Sequence, residues 1–200
     1  MAYSDFSLAK VSKTFELKIL DAVNMFSAIP DLESSSFLVE TLLYTVPLAI
    51  SSNTEKARSE MIIAPILIEL RKQLNSEISF FSGIDFTIDA EKGLNGNCDF
   101  LISRSPELLI VTAPVVIIVE AKKENINGGL GQCVAEMLAA RIFNEREGNQ
   151  ISTIYGAVTS GTNWRFLKLK EQVIEIDLTE YYLRDVNKIL GILASVINSQ

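Results

Sequence analysis

Two spacings of apolar residues alternate along the chain. From Thr54, the run TEKARSEMIIAPILIELRKQL reads as a helix: Asn53 or Thr54 can cap it, Glu55 lies in the first turn, and Arg71 and Lys72 lie in the last, as the helix dipole favours. Pro65 removes a backbone donor and crowds the carbonyl four residues back, so a kink or break is expected near Met61 to Ala64. ISFFSGIDFTIDA, CDFLISRS and PVVIIVEAK are of strand type, separated by EKGLNGN and SPELLIVTA. LNGN is a turn signal, since Asn-Gly tolerates positive φ. In GGLGQCVAEMLAARIFNERE, Leu130, Val134, Met137, Leu138 and Ile142 recur at three and four, which predicts a helix. STIYGAVTSG and WRFLKLKEQVIEIDL predict two or three more strands, and an amphipathic helix is expected from Thr179.

The first fifty or so residues read as a mixed, mainly helical cap, where TFELKILDAV and SFLVETLLYTV fit helix or strand. The order is helix, three strands, helix, two or more strands, helix. It implies an α/β domain with a mixed central sheet flanked by helices. One domain is expected over 1–200, with an N-terminal cap (1–52), a core (53–178) and a C-terminal helix (179–200). A chain of 200 residues, 48% hydrophobic, can bury a core of that kind.

Composition narrows the chemistry. SFLVETLLYTVPLAI comes nearest to a membrane span, but Glu40 and Pro47 interrupt it short of the roughly 18 apolar residues required. The N-terminus lacks the basic start and apolar run of a secretory signal, so a cytoplasmic protein without a membrane partner is expected. Cys98 and Cys133 are the only cysteines, and histidine is absent. Histidine-based triads and zinc sites of cysteine or histidine are thereby excluded, and oxygen ligands select hard cations such as Mg²⁺ or Mn²⁺. The net charge of −7 offers no global attraction to nucleic acid, though it permits a local basic groove.

The chemistry-bearing stretch is VVIIVEAKKE. Strand alternation puts Glu120 and Lys122 on one face at the end of an apolar strand, with Ala121 on the other. A solvated strand end would account for this pair alone. A second carboxylate, Asp99, lies at the start of the preceding strand, where alternation sets it opposite Cys98 and Phe100; adjacent strands would bring the two acids together.

With Glu60 in the upstream helix and GQC opening the downstream one, these residues resemble the PD-(D/E)XK nuclease superfamily. Its restriction-endonuclease-like core runs α-β-β-β-α-β, and the resemblance covers roughly residues 54 to 170. It implies that Asp99 is the motif aspartate and that Glu120 and Lys122 are its Glu-x-Lys pair. Glu60 corresponds to a first-helix glutamate and Gln132 to a supporting helix glutamine. Mg²⁺ or Mn²⁺ would be held by Asp99, Glu120 and the Ala121 carbonyl, with Glu60 binding a second metal or its waters. Cys98 stands where the name-giving pattern has proline, and Glu136 where tyrosine often follows the glutamine.

The implied function is metal-dependent hydrolysis of phosphodiester bonds, of DNA first. The alternative is a catalytically inactive nuclease-like scaffold binding nucleic acid or a partner protein. A homodimer is expected if a one-site domain is to cut both strands, and a partner protein if specificity is supplied from outside the chain. The apolar face of the last helix, with Leu183, Ile189, Leu190, Leu193 and Ile197, offers an interface unless the core covers it. Cys98 and Cys133 read as core thiols, Trp164 and Arg165 as a hairpin or as a base-stacking pair, and Lys168 and Lys170 as a solvated face.

Overall fold

The computed structural model describes residues 1–198, so the last two residues of the expected C-terminal helix lie outside the described residues. The chain forms an α/β fold around one mixed sheet of eight strands, with helices on both faces. The strands are β1 (Lys18–Ala22), β2 (Ser79–Asp85), β3 (Asn97–Ser103), β4 (Val115–Ala121), β5 (Thr153–Thr159), β6 (Asn163–Lys170), β7 (Val173–Asp177) and β8 (Tyr181–Tyr182). They lie in the order β1-β7-β6-β5-β4-β3-β2, with β8 paired to β6. The pairs β1–β7 and β4–β5 are parallel and the others antiparallel.

The helices are α1 (Leu8–Thr14), α2 (Ser36–Ser52), α3 (Glu55–Arg58), α4 (Ala64–Gln73), α5 (Ile126–Arg146) and α6 (Val186–Asn198). Over the core, the order α4, β2, β3, β4, α5, β5 is the expected one. Burial divides into two layers. Ile62, Leu67, Ile189 and Leu193 pack with Phe100, Val119 and Trp164 on one face of the sheet; Tyr3, Phe6, Val134 and Met137 pack with Leu101 and Ile118 on the other. β4 is buried along its whole length, as a central strand covered on both sides must be.

The break expected at Pro65 takes a definite form. Thr54 caps α3 through its hydroxyl, which accepts from the Ala57 N–H at 3.1 Å, and a π-helical turn over Ser59–Ile63 joins α3 to α4. The widened turn absorbs the missing proline donor. The Met61 carbonyl, four residues before Pro65, accepts instead from the Thr45 hydroxyl of α2 at 2.6 Å.

Of the two stretches that fitted helix or strand, Lys18–Ala22 is an edge strand parallel to β7 and Ser36–Ser52 is a helix, while one expectation needs correction. The last helix begins at Val186 rather than Thr179, since Tyr181–Tyr182 pairs with Asn163 and Trp164 and a 3₁₀ turn over Leu183–Asp185 follows. Its apolar face is core: Ile189, Leu190, Leu193 and Ile197 are buried and Leu183 is partly so, which removes this helix as an interface. Among the described residues, no helix is long and apolar enough to cross a membrane.

Asn144, buried on α5, ties that helix to the start of β4. Its side chain accepts from the Val115 N–H and donates to the Val115 carbonyl, both at 2.8 Å. Asn144→Ala strands both backbone groups and should cost about 2 kcal/mol of stability, measured by urea unfolding. An unchanged midpoint would show that water replaces the amide.

Candidate active site

β3 and β4 bring the two acids together. They pair antiparallel with Phe100 opposite Val119, the residues next to the two acids, and the charge of Asp99 acts on Glu120. Asp99 Oδ2 accepts from the Ala121 N–H at 2.8 Å, which clamps the end of β4. On the other side the Lys122 N–H donates to the Thr159 carbonyl of β5, also at 2.8 Å. The expected alternation fails at Asp99: Cys98 packs on the α5 side and Phe100 on the α4 side, so the two flanking residues face opposite cores. Gly83, in the adjoining stretch of β2, has φ +62°, a conformation favouring glycine. This local irregularity frees Asp99 to reach the β4 backbone.

Glu120 is buried, and its Oε1 accepts from the Lys122 ammonium. That ammonium also donates to Gln132 Oε1 at 3.4 Å, and Gln132 Nε2 donates to Glu136 Oε1 at 3.1 Å. The result is a continuous polar line: Glu120, Lys122, Gln132, Glu136. Gly129 makes room for it, since a Cβ there would sit 3.0 Å from the Lys122 Cγ and 2.7 Å from Val158 Cγ1.

Charge in this cluster is unbalanced. One ammonium faces Asp99, Glu120 and the buried Glu136. Burial, then the charge of Asp99, pushes the Glu120 carboxyl up to about 8, against the opposing pull of Lys122. Burial, then Glu120, pushes Glu136 well above the carboxylate range. For Lys122, burial favours proton loss, yet the charge and hydrogen bond of Glu120 prevail and hold it above the ordinary lysine value.

The second oxygens of Glu120 and Glu136 are buried without a hydrogen-bond partner. A buried, unpartnered carboxyl oxygen on Glu120, whose ionised form its acidic neighbours oppose, fits a hard cation held by Asp99, Glu120 and the Ala121 carbonyl. Among the described residues, no three His, Cys, Asp or Glu side chains gather closely enough to hold a metal ion. Glu136 bears on the site through charge, since Glu120 pushes it up, and through its bond to Gln132.

A cleft of about 220 Å³ opens beside Asp99, walled by Glu55, Lys56, Ser59 and Glu60 from the α3 end and by Ser82, Gly83 and Phe100 from the sheet. Glu60 lies on that wall but is 58% exposed and ion-paired with Lys56 at 2.8 Å. Glu55 is the helix acid whose charge acts on both Glu120 and Lys122. Sequence reasoning treated Glu55 only as a helix-dipole acid. A first-turn acid looks the same whether it faces solvent or a cleft. Glu136 was noted only as a departure from a pattern, although a glutamate embedded in VAEMLAA is a visible interruption of an apolar helix.

Other candidates fall away. Trp164 is buried and its indole N–H donates to the Gly161 carbonyl at 3.1 Å, so it cannot stack on a base. Arg165 is engaged by Glu180 at 2.8 Å and by Asn127. Lys168 pairs with Glu175 across β6 and β7 at 3.0 Å. Cys98 and Cys133 are core residues whose thiols burial pushes far up.

Glu136 sets a stability trend with pH. Its folded carboxyl keeps its proton at pH values where the unfolded chain, near 4.5, has released it. The unfolded state then binds fewer protons, so the contribution is complete below 4.5 and declines as pH rises, by up to about 1.4 kcal/mol per unit. Glu136→Gln preserves the partner for Gln132 and removes the titration. Urea melts should show the variant gaining on the wild type from mildly acid to neutral pH, and parallel profiles would refute the assignment.

Compared with protein-family models, characterised proteins and solved structures, the chain matches none.

Proposed function

We propose that this chain is a metal-dependent nuclease that hydrolyses phosphodiester bonds, DNA being the first substrate to test. The observation that carries this reading is the meeting of Asp99 and Glu120 at the end of paired strands, with Lys122 in contact beside them. The element order α4, β2, β3, β4, α5, β5 supports a core of PD-(D/E)XK, restriction-endonuclease-like type.

Asp99, Glu120 and the Ala121 carbonyl would hold Mg²⁺ or Mn²⁺, which when bound polarises the attacked phosphate and offsets charge on the pentacoordinate phosphorus. The protein's own contributions are distinct. Asp99 anchors the β4 end, so both acids are held on rigid strands. Lys122, kept protonated by Glu120, supplies a fixed positive charge beside the scissile group and can orient the attacking water. Gln132 positions that ammonium, and Glu136 in turn holds Gln132. Glu60 and Glu55 line the approach, where Lys56 is held in an ion pair with Glu60.

A second reading, the non-cutting scaffold, is favoured by one observation: Lys122 already occupies Glu120, so a cation must compete for that carboxylate. The two separate in one experiment. Purified protein is incubated with single-stranded, duplex and branched DNA and with RNA, each with Mg²⁺, Mn²⁺ or chelator, while Mn²⁺ binding is followed by calorimetry. Metal-dependent cutting supports the nuclease, and its preferred polymer names the substrate. Neither cutting nor Mn²⁺ binding would leave the scaffold as the better account.

A further inference from the structure

We propose that Arg58 is a substrate-binding residue, which holds a phosphate of the polynucleotide neighbouring the one that is cut; this rests on the nuclease reading above. The observation is a buried charge without a counter-charge. Arg58 ends α3 and is 8% exposed, yet among the described residues no carboxylate lies within 4 Å of its guanidinium. Nη1 donates to the Ser160 carbonyl at 3.0 Å, Nε is buried without a partner, and Nη2 is neither bonded nor enclosed. Lys122, Arg165 and Lys168, also partly buried, each face a carboxylate. A guanidinium taken out of water is costly unless an anion offsets it. A brace from α3 to the Ser160 carbonyl needs one donor, which a neutral amide supplies without that cost.

The position suits a polynucleotide strand. Ser160 follows Thr159, which pairs with Ala121 at the end of β4 and accepts from the Lys122 N–H. Neighbouring strands lie about 4.8 Å apart, so the guanidinium stands roughly 10 Å from the proposed cation, within the span of one or two nucleotides. The cleft beside Asp99 opens on the β2 side, at Ser82 and Gly83, whereas Arg58 lies on the β5 side. A strand crossing the end of β4 would pass from one to the other.

Chemistry favours phosphate as the missing anion. The planar guanidinium presents its donors as a fork that matches phosphate oxygens. In the turn beside it, the Ser160 and Thr162 hydroxyls bond to each other at 3.1 Å, which uses one of their two protons and leaves the other to donate. Two more cations at this end of the sheet are already taken, Lys56 by Glu60 and Arg165 by Glu180. A phosphate contact of this kind positions a strand without reading its sequence.

Fluorescence anisotropy of labelled single-stranded and duplex oligodeoxynucleotides tests this, in chelator so that they stay intact and over ~50 to ~300 mM salt, with Mn²⁺-dependent cutting by the same proteins run alongside. Arg58→Gln is expected to bind about tenfold more weakly, and its log affinity should fall less steeply with log salt, by about 0.7 on the single strand or 0.9 on the duplex. Arg58→Lys keeps the charge and loses the fork, so it should keep the slope with about threefold weaker binding; it is the variant to read if Arg58→Gln does not fold. Wild-type affinity and slope in Arg58→Gln, or wild-type affinity in Arg58→Lys, overturn the role of Arg58 and leave the nuclease reading standing where the wild type cuts. Cutting or thermal stability lost with affinity unmoved would make Arg58 a brace. A wild type that cuts yet binds nothing in chelator would show that the cation alone holds the strand, and overturns the proposal too. Neither binding nor cutting by the wild type would bring down the nuclease reading and this proposal together.

Discussion

Asp99→Asn is expected to lower the proposed metal-dependent phosphodiester cleavage by about a thousandfold or more while the fold survives. Asparagine is the informative replacement. Its amide oxygen can still accept from the Ala121 N–H, so the clamp on β4 remains and only the charge is lost. Asp99→Ala removes both, and should lose stability as well as activity. Glu120→Gln is expected to match Asp99→Asn in rate. Lys122→Ala is expected to lose about a hundredfold, as for one oriented charge. Single-turnover cleavage at saturating Mn²⁺, run beside thermal melts, separates the effects. Full activity in Asp99→Asn would eliminate this site.

The same site predicts how cation binding follows pH. Without a cation, burial and Asp99 hold the Glu120 carboxyl protonated up to about 8. A ligand must lose its proton to bind, so apparent Mn²⁺ affinity should climb about tenfold per unit as pH rises towards that value and level off above it. Glu120→Gln should abolish the slope. A flat affinity in the wild type would mean that the cation sits elsewhere.

The largest expected effect on stability involves packing rather than charge. Gly131, on α5, faces the N-terminal segment so closely that a Cβ would stand 2.3 Å from the Phe6 carbonyl oxygen and 2.3 Å from the Ser7 carbonyl carbon. Backbone atoms cannot swing aside as a side chain can. Gly131→Ala should therefore cost about 3 kcal/mol, or lower the melting temperature by about 6 to 12 °C, through displacement of the segment carrying Tyr3 and Phe6. Near-wild-type melting with new protease sensitivity before Leu8 would mean that the segment detaches while the sheet survives. Gly128, one turn earlier, would meet only the Asn125 side chain, so Gly128→Ala serves as the mild control.

The reading of the core succeeded where structure is local. Caps, a proline break and alternating strands act over a few residues, and Thr54, the turn at Ser59–Ile63 and β2 to β5 follow from them. What stayed open or was missed is of another kind. Lys18–Ala22 is half exposed, and its identity as a strand depends on a parallel partner at Val173–Asp177, distant in the chain. Tyr181–Tyr182 is too short to carry a period and exists because β6 is there to pair with it. Trp164 carried no mark to distinguish a buried indole bonded to Gly161 from an exposed one awaiting a base.

By itself, the sequence determined the types of chemistry within reach. A chain without histidine and with two thiols leaves carboxylates and lysine, and, for any metal, oxygen ligands that suit a hard cation; an apolar strand ending in Glu-Ala-Lys is where a carboxylate and an ammonium are set side by side. Only the tertiary structure decided which charges meet. Asp99 reaches β4 through a break in alternation, Lys122 lies against Gln132, and Glu136 is buried beside them. Glu60 turns to Lys56 while Glu55 acts on the centre. The physical reason is that residue type and spacing set which groups a strand or helix presents, whereas charge depends on distance and burial, and these arise only when separate elements pack together.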